Sequence, residues 1–298
     1  MATVNQHGLS RYIPSDVRHE IRRRSKFGCV QCRSAIYQYE HIDPEFTDAK
    51  SHDPNNMCLL CGGCHDRVTR GRLSKQTIRE SYDKIQRSEL AQRPFEGLDL
   101  RSQSLTISFG TCTFRQSQSL ISINGESILS VLPPLDGEAF PCLSGTFYDK
   151  EGIESFRISS NVWEGPSDCW DIEVIGQRIS IKTKGNETAL ELELLPPDGI
   201  RVLQLSMYKD NCHLVTNGDE LLIGQIHSDG QVCVGLSDFQ CLGSSSAISV
   251  DSRRDTRPSL AGMRIIGGEG IFLDETGIIV GMHAANMTIG RIRLWDLP

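Results

Sequence analysis

Four cysteines stand in two pairs that have the spacing of zinc knuckles. Cys29 and Cys32 form the first pair, and Cys61 and Cys64 form the second, with two residues between the members of each pair. Two sulfurs on one tight turn supply half of a tetrahedral shell, so two such turns supply four thiolate ligands for Zn²⁺. A shell of four thiolates leaves no open coordination position. The pattern therefore predicts a zinc ion that stabilises the fold and takes no part in chemistry.

A second group of polar residues lies between and beside these pairs. The sequence reads Glu40-His41-Ile42-Asp43-Pro44 and later Asn56-Met57-Cys58-Leu59-Leu60-Cys61-Gly62-Gly63-Cys64-His65. It resembles the HNH endonuclease family, whose pattern is an acidic residue or histidine followed by His-Ile-x-Pro, and then Asn-Leu-x-x-Leu-Cys-x-x-Cys-His. The sequence departs from that pattern at Glu40, where Asp is commoner, and at Met57, where Leu is commoner. The resemblance covers about residues 1–75.

The resemblance implies a β-hairpin followed by a helix, the ββα-metal arrangement, around a divalent cation. Glu40 and His65 would hold that cation, and their mixed oxygen and nitrogen shell suits Mg²⁺, Mn²⁺ or another divalent metal. His41 would be the general base that takes a proton from water, because an imidazole titrates near neutrality. Asn56 would bind the hairpin backbone or the imidazole and so orient His41. His52 lies in the connecting loop outside the motif, where we expect it to be exposed to solvent.

Basic residues follow the motif on its helix and just beyond, at Arg67, Arg70, Arg72 and Lys75. Their side chains are predicted to contact the phosphate backbone of nucleic acid near the cleaved bond, since guanidinium groups pair well with phosphate oxygens. Contacts of this kind position a substrate without reading its base sequence. They therefore predict a nucleic-acid partner but no sequence preference.

Charge is divided unequally along the chain. Residues 1–95 contain 16 Lys and Arg against 11 Asp and Glu, for a net charge of +5, whereas residues 96–298 contain 15 against 27, for a net charge of −12. A basic segment attracts phosphate, and an acidic segment repels a polyanion that it faces. Residues 1–95 are therefore expected to meet nucleic acid, and residues 96–298 a different partner.

Composition predicts a cytoplasmic protein that does not enter a membrane. The chain has 298 residues, 38% of them hydrophobic, which is enough for two globular domains. No apolar run approaches the ~20 residues of a membrane span, and residues 1–11 lack the apolar stretch of a secretory signal. In a reducing compartment the 11 cysteines are expected to be metal ligands and unpaired thiols, with Cys58 buried on an apolar strand.

Helix and strand signals divide the chain into two domains. Residues 13–28 read as a capped amphipathic helix, and the arginines at 22–24 give it a basic face for phosphate or for solvent. Ser74 can cap a later helix with one buried face, formed by Ile78, Tyr82 and Ile85. Beyond residue 97, short alternating segments separated by Gly and Asp-Gly turns predict an all-β domain, either a sandwich or a β-solenoid. The predicted class is α+β: a zinc-stabilised ββα-metal domain with flanking helices over residues 1–95, and an all-β domain over residues 96–298.

Together these features predict a metal-dependent endonuclease that hydrolyses DNA phosphodiester bonds. The β domain would supply oligomerisation, target choice or control by a protein or ligand, and the combination would suit the effector of an antiviral defence system. Two alternatives stay open. A non-catalytic zinc module that binds nucleic acid would need the four cysteines but not the matching Glu40, His41, Asn56 and His65. A toxin-like nuclease could instead cleave RNA, since the metal chemistry does not depend on the 2′-hydroxyl.

Overall fold

The chain folds into two units. The structure is a computed structural model that describes residues 4–87, 93–166, 168–227, 230–237, 240–242, 246–250, 263–264, 271–273, 279–282 and 291–295. Unit 1 comprises Met1–Glu96, Glu164–Val174 and Lys184–Asn186, and unit 2 comprises Gly97–Trp163, Ile175–Thr183 and Glu187–Pro298. Unit 1 is therefore assembled from three separate stretches of the chain.

Unit 1 contains a two-stranded hairpin with helices on either side of it in the sequence. Its elements, in chain order, are α1 (Ser15–Arg24), β1 (Gln38–His41), β2 (Met57–Leu60), α2 (Gly62–Thr69) and α3 (Lys75–Arg87). The two strands pair antiparallel, with His41 opposite Met57 and Gln38 opposite Leu60. A short 3₁₀ turn, Pro54–Asn56, leads into β2. The hairpin and α2 thus follow one another in the order β-β-α.

β2 is buried along its whole length because a hydrophobic cluster covers each of its faces. Met57 and Leu59 pack with Ile21 of α1, whereas Cys58 and Leu60 belong to a second cluster. The members of that second cluster on α3 are Ile78, Tyr82 and Ile85. Successive side chains of a strand point to opposite faces, so an uninterrupted apolar run is accommodated only when both faces are covered. The two-sided burial explains why β2 has no polar residue.

The predicted helix after Ser74 is confirmed. α3 begins at the next residue, and Ser74 Oγ accepts a hydrogen bond of 3.0 Å from the backbone N–H of Thr77, so it satisfies a donor of the first turn. The first helix differs from the prediction at both ends. Pro14 occupies the N-cap position of α1 and no side chain caps the helix, and α1 ends at Arg24, before Gly28.

Arg22 is buried against the second stretch of unit 1. Its Nε donates to Asp171 Oδ1 at 2.8 Å, its Nη2 donates to the other carboxylate oxygen, and its Nη1 donates to the Tyr39 hydroxyl at 2.8 Å. Glu173 lies 3.2 Å from the same guanidinium. The next two arginines of α1 pair with Glu20. The prediction of a basic face lying on phosphate or in solvent is therefore wrong for Arg22, whose charge neutralises the buried carboxylate of Asp171.

Among the described residues, no helix follows α3, and none of the three helices is long and apolar enough to cross a bilayer. The strands that follow are β3 (Phe95–Gly97), β4 (Thr106–Phe109), β5 (Cys112–Arg115), β6 (Ser119–Ile123), β7 (Glu126–Leu132), β8 (Cys142–Tyr148), β9 (Glu154–Ser159), β10 (Val162–Glu164), β11 (Asp171–Ile175), β12 (Arg178–Lys182), β13 (Thr188–Leu195), β14 (Gly199–Lys209), β15 (Cys212–Asn217), β16 (Leu221–His227), β17 (Gly230–Ser237), β18 (Gln240–Leu242), β19 (Ser246–Val250), β20 (Met263–Arg264), β21 (Ile271–Leu273), β22 (Ile279–Met282) and β23 (Arg291–Trp295).

Unit 2 is built from two open, mostly antiparallel sheets. One has the order β22-β21-β20-β19-β6-β7-β8-β9-β10, and the other has the order β12-β13-β14-β15-β16-β17-β23. Where strands consecutive in the chain are neighbours in a sheet, they pair antiparallel, as β7 does with β8 and β14 with β15. β4 with β14, β5 with β18 and β6 with β19 are parallel. A Cβ at Gly199 of β14 would lie 1.8 Å from the carbonyl oxygen of Thr106, so the approach of β4 requires glycine there. A β-solenoid stacks parallel strands from successive turns, so that alternative is wrong; the sandwich stays a prediction.

Loss of the Arg22 guanidinium is expected to destabilise unit 1 strongly. Arg22→Leu leaves the buried Asp171 carboxylate without its main partner, and such an uncompensated charge costs about 3–5 kcal/mol of unfolding free energy. The double variant Arg22→Leu/Asp171→Asn removes that charge as well, so it should recover a large part of the loss. Urea unfolding followed by tryptophan fluorescence measures both. An Arg22→Leu protein as stable as the wild type would contradict the buried pair.

Candidate functional site

The four paired cysteines converge at one point in unit 1. The Sγ atoms of Cys29, Cys32, Cys61 and Cys64 all lie within 4.8 Å of one another, and 3.5 Å separates Cys32 Sγ from Cys61 Sγ. Zinc–sulfur bonds of about 2.3 Å place tetrahedral ligands about 3.8 Å apart. In the described part of the chain, this is the one cluster of three or more His, Cys, Asp or Glu side chains with metal-binding geometry. The four thiols could hold a zinc ion.

Local backbone structure places each pair of sulfurs. In the first pair, the Arg33 backbone N–H donates to the Cys29 carbonyl at 2.9 Å and closes the turn. In the second pair, Cys61 is the N-cap of α2, and its sulfur accepts from the Cys64 N–H at 3.4 Å. The Arg33 side chain secures the first turn to the end of α1. Its guanidinium donates to the carbonyl oxygens of Ser25, Lys26, Gly28 and Cys29.

The electrostatics of the cluster favour a bound cation. Burial raises the pKa of Cys32 to about 11, and burial together with the neighbouring thiols raises the pKa of Cys64 further. Burial acts in the same direction on Cys61, but hydrogen bonds from the Cys64 N–H and the neighbouring thiols lower its pKa overall. Four thiolates this close repel one another, so they ionise together only around a positive charge.

Cys58 stands apart from this cluster, as predicted. It is fully buried in β2, and burial raises its pKa far above the ordinary value for a thiol. A thiol of this kind packs as a small apolar side chain.

A cavity of about 620 Å³ opens in unit 1, and its lining includes Glu40, His41 and His65. Glu40 and His41 are the last two residues of β1, and His65 is in the first turns of α2. Glu40 Oε2 lies 3.1 Å from His65 Nε2. Two ligands of an octahedral cation bound at about 2.1 Å are about 3.0 Å apart along an edge. The carboxylate oxygen and the imidazole nitrogen are therefore as close as two such ligands, and the same distance is that of a hydrogen bond between the two side chains.

Lys75 lies in this cavity, and its contact with phosphate stays a prediction. Its Nζ pairs with Glu40 Oε1 and also donates to the His41 carbonyl oxygen. Lys75 is the first residue of α3, so the packing of that helix on the hairpin brings the ammonium group to the strand end. Oε1 of Glu40 is thus paired with the ammonium group of Lys75.

The three arginines predicted to contact phosphate lie outside the cavity lining. Arg67 and Arg72 are exposed to solvent. Arg70 is exposed as well, but its Nε pairs with Asp66 at 2.8 Å. Their contact with nucleic acid stays a prediction.

Asn56 contributes to the hairpin through its backbone. Its carbonyl oxygen accepts a hydrogen bond of 2.8 Å from the Ile42 N–H, which extends the pairing of β1 and β2. Its side chain donates to Asp53 at 2.9 Å and accepts from Arg79 of α3 at 2.8 Å. The resemblance implied a bond to the hairpin backbone or to the imidazole. The structure places the side-chain amide on a carboxylate and a guanidinium, away from the imidazole.

His52 is a cavity residue that sequence reasoning missed. It is half-buried, not solvent-exposed as expected, and its Nδ1 lies 3.1 Å from His41 Nε2. Its Nε2 lies 2.8 Å from the carbonyl oxygen of Ser10. No motif position marks His52, because only the folded chain brings residues 10, 41 and 52 together.

The imidazole of His41 is uncharged at neutral pH. Burial lowers its pKa to about 4, the neighbouring His52 and Lys75 lower it as well, and only Glu40 acts in the opposite direction. The expectation that His41 titrates near neutrality is therefore wrong. A buried imidazole loses the hydration that stabilises its charged form, so the neutral ring is favoured and keeps one lone pair available.

No protein-family model, curated protein or solved structure matches this chain. Its resemblance to HNH endonucleases rests on the motif residues alone.

Zinc content tests the four-cysteine cluster. Wild-type protein is expected to carry one zinc ion per chain, and Cys61→Ser is expected to lose it, because a hydroxyl is a poor replacement for a thiolate ligand. Cys58→Ala is the matched control, since this thiol lies in the same segment but outside the cluster. Elemental analysis of the purified proteins measures the ratio. Zinc retained by Cys61→Ser, or lost by Cys58→Ala, would contradict the assignment of ligands.

The pKa of His41 predicts a pH dependence of stability. An unfolded histidine has a pKa of about 6.5, so between pH 7.5 and 5.5 the unfolded chain gains a proton at residue 41 that the folded chain, with a pKa of about 4, does not. The stability that results from the low pKa of folded His41 is fully present above the pKa of the unfolded state, about 6.5. It is lost as the pH falls toward the pKa of the folded state, about 4. Over this interval, wild type should lose about 1 kcal/mol more unfolding free energy than His41→Gln. If urea titrations showed the same loss of unfolding free energy for both proteins, the low pKa of His41 would be contradicted.

Proposed function

We propose that this chain is a metal-dependent endonuclease of the HNH type that hydrolyses phosphodiester bonds in DNA. The observation that carries the proposal is the presence of Glu40, His41 and His65 in one cavity, on a hairpin followed by a helix. These residues supply a carboxylate and an imidazole for a cation, and a second imidazole for proton transfer. A zinc module that only binds nucleic acid has no need of them.

Glu40 and His65 would hold the divalent cation. Such a cation supplies a Lewis acid for the negative charge that develops on the phosphate during hydrolysis. The separation of 3.1 Å between Glu40 Oε2 and His65 Nε2 supports this assignment. Lys75 binds the other oxygen of Glu40 and so limits rotation of the carboxylate. Glu40 therefore presents Oε2 toward His65.

His41 would act as the general base. A water molecule gives its proton to the neutral imidazole, its oxygen bonds to phosphorus, and the P–O3′ bond breaks with its electron pair passing to the departing oxygen. A pKa of about 4 makes the free imidazole a weak base. The negative charge of a bound phosphate stabilises the imidazolium, so substrate binding raises the proton affinity of His41 when it is needed.

The charge distribution supports a nucleic acid as the substrate. Residues 1–95, which include the whole cavity lining, carry a net charge of +5, and exposed Arg67 and Arg72 follow His65 closely in the chain. Phosphate neutralisation by such residues provides affinity without sequence preference. The acidic remainder of the chain would serve regulation or oligomerisation instead of substrate contact.

Cleavage of supercoiled plasmid in Mg²⁺ or Mn²⁺ tests the proposal. Zinc-loaded wild-type protein is expected to nick or linearise the plasmid, and His41→Ala, Glu40→Gln and His65→Ala are each expected to be at least about 100-fold slower, since each loses the base or a metal ligand. His7→Ala is the matched control, because His7 is an exposed histidine of unit 1 outside the cavity.

The outcomes separate the proposal from its alternatives. Cleavage that survives all three substitutions would place the activity elsewhere or in a contaminant. A wild-type protein that holds zinc and binds DNA but never cleaves it would favour the non-catalytic module. A parallel assay on single-stranded and duplex RNA decides whether the substrate is RNA.

A further inference from the structure

Three groups form a chain of hydrogen bonds that begins at the proposed general base. His41 Nε2 lies 3.1 Å from His52 Nδ1, and His52 Nε2 lies 2.8 Å from the carbonyl oxygen of Ser10. Ser10 belongs to the segment before α1, and His52 to the loop between β1 and β2. The two ring contacts place both nitrogens of His52 within hydrogen-bonding distance of a partner.

The order of protons along this chain follows from its last member. A carbonyl oxygen only accepts hydrogen bonds, so His52 Nε2 must carry a hydrogen. When the His52 ring is neutral, its other nitrogen has a lone pair and no hydrogen, so His52 Nδ1 accepts. His41 Nε2 must then be the donor. The remaining nitrogen of His41, Nδ1, is left with its lone pair.

The surroundings of His41 leave this nitrogen available. His41 as a whole residue is 8% exposed, and its ring lies beside the ring of Phe46, at a centroid distance of 5.7 Å, and beside that of His52. Among the described residues, no side chain or backbone group forms a hydrogen bond with His41 Nδ1. Lys75 binds the carbonyl oxygen of His41, not its ring.

We propose that His52 is a positioning residue that fixes the tautomer and orientation of His41, so that Nδ1 of His41 is the atom that takes the proton from water. This inference rests on the proposed nuclease function. His52 would not touch the substrate; it acts through the Nε2–H of His41. The Ser10 carbonyl in turn fixes the tautomer of His52, so the segment before α1 becomes part of the site.

The tautomer is measured directly by long-range ¹H–¹⁵N correlation on the full-length, zinc-loaded protein with labelled histidine. His41→Gln assigns the resonances among the 8 histidines. The expected wild-type spectrum shows protonated Nε2 and unprotonated Nδ1 on His41. In His52→Leu the acceptor is gone, so a mixture of the two tautomers is expected. In His52→Asn the amide oxygen can stand where Nδ1 stood, so the wild-type tautomer should be kept.

Plasmid cleavage by the same proteins supplies the second readout. His52→Leu is expected to lower kcat about 10- to 100-fold with KM unchanged, as for other groups that orient a reacting residue. His52→Asn should restore most of that loss. His19→Leu is the matched control, because His19 also contacts a backbone carbonyl, that of Trp170, but lies outside the cavity.

The two proposals fail in different ways. A His41 ring protonated on Nδ1 in the wild type would overturn the inference about His52, whatever the cleavage assay shows. The inference also fails if His52→Leu keeps both the tautomer and the wild-type kcat. If the tautomers behave as expected and no protein cleaves nucleic acid, the nuclease function is wrong while the assigned positioning of His41 by His52 stands.

Discussion

Strand β2 packs on α1 with one face and on α3 with the other, and this double burial determines where the remaining parts of unit 1 can lie. β1 pairs with β2 along one edge of the strand. The end of β1 then presents Glu40 and His41 to the cavity, and the end of β2 leads directly into the second cysteine pair and α2. Burial of four apolar residues thereby positions the chemical groups on both sides of them.

Charged groups lie close together in the partly buried cavity, and their interactions determine the protonation state of His41. Glu40 pairs with the Lys75 ammonium group through one carboxylate oxygen, so its negative charge is compensated before any cation is added, and its other oxygen lies 3.1 Å from His65 Nε2. His41 stays neutral beside it, because burial penalises a further positive charge near Lys75 and His52. A divalent cation bound by Glu40 would add to the positive charge, which keeps the imidazole in its neutral form until an anionic substrate arrives.

Features encoded by local spacing could be predicted from the sequence, and features that depend on distant contacts could not. The two cysteine pairs, the Ser74 cap and the buried face of α3 each follow from residues a few positions apart, and the structure has all of them. The environments of Arg22, Lys75 and His52 depend on partners 149, 35 and 11 positions away, respectively. Charge and residue type alone made these three look like surface groups. Their partners became visible only after the chain had folded.

The discontinuous make-up of unit 1 affects how it could be inherited or exchanged. A protein domain encoded by one contiguous stretch can be moved between genes as a cassette, since its interior travels with it. Here a cassette ending at residue 96 would carry Arg22 but leave behind Asp171 and Glu173, which neutralise it. The portion that resembles a nuclease is thus tied to the rest of the chain by a buried charge. Recombination at the apparent boundary would produce a unit with an unpaired arginine in its interior.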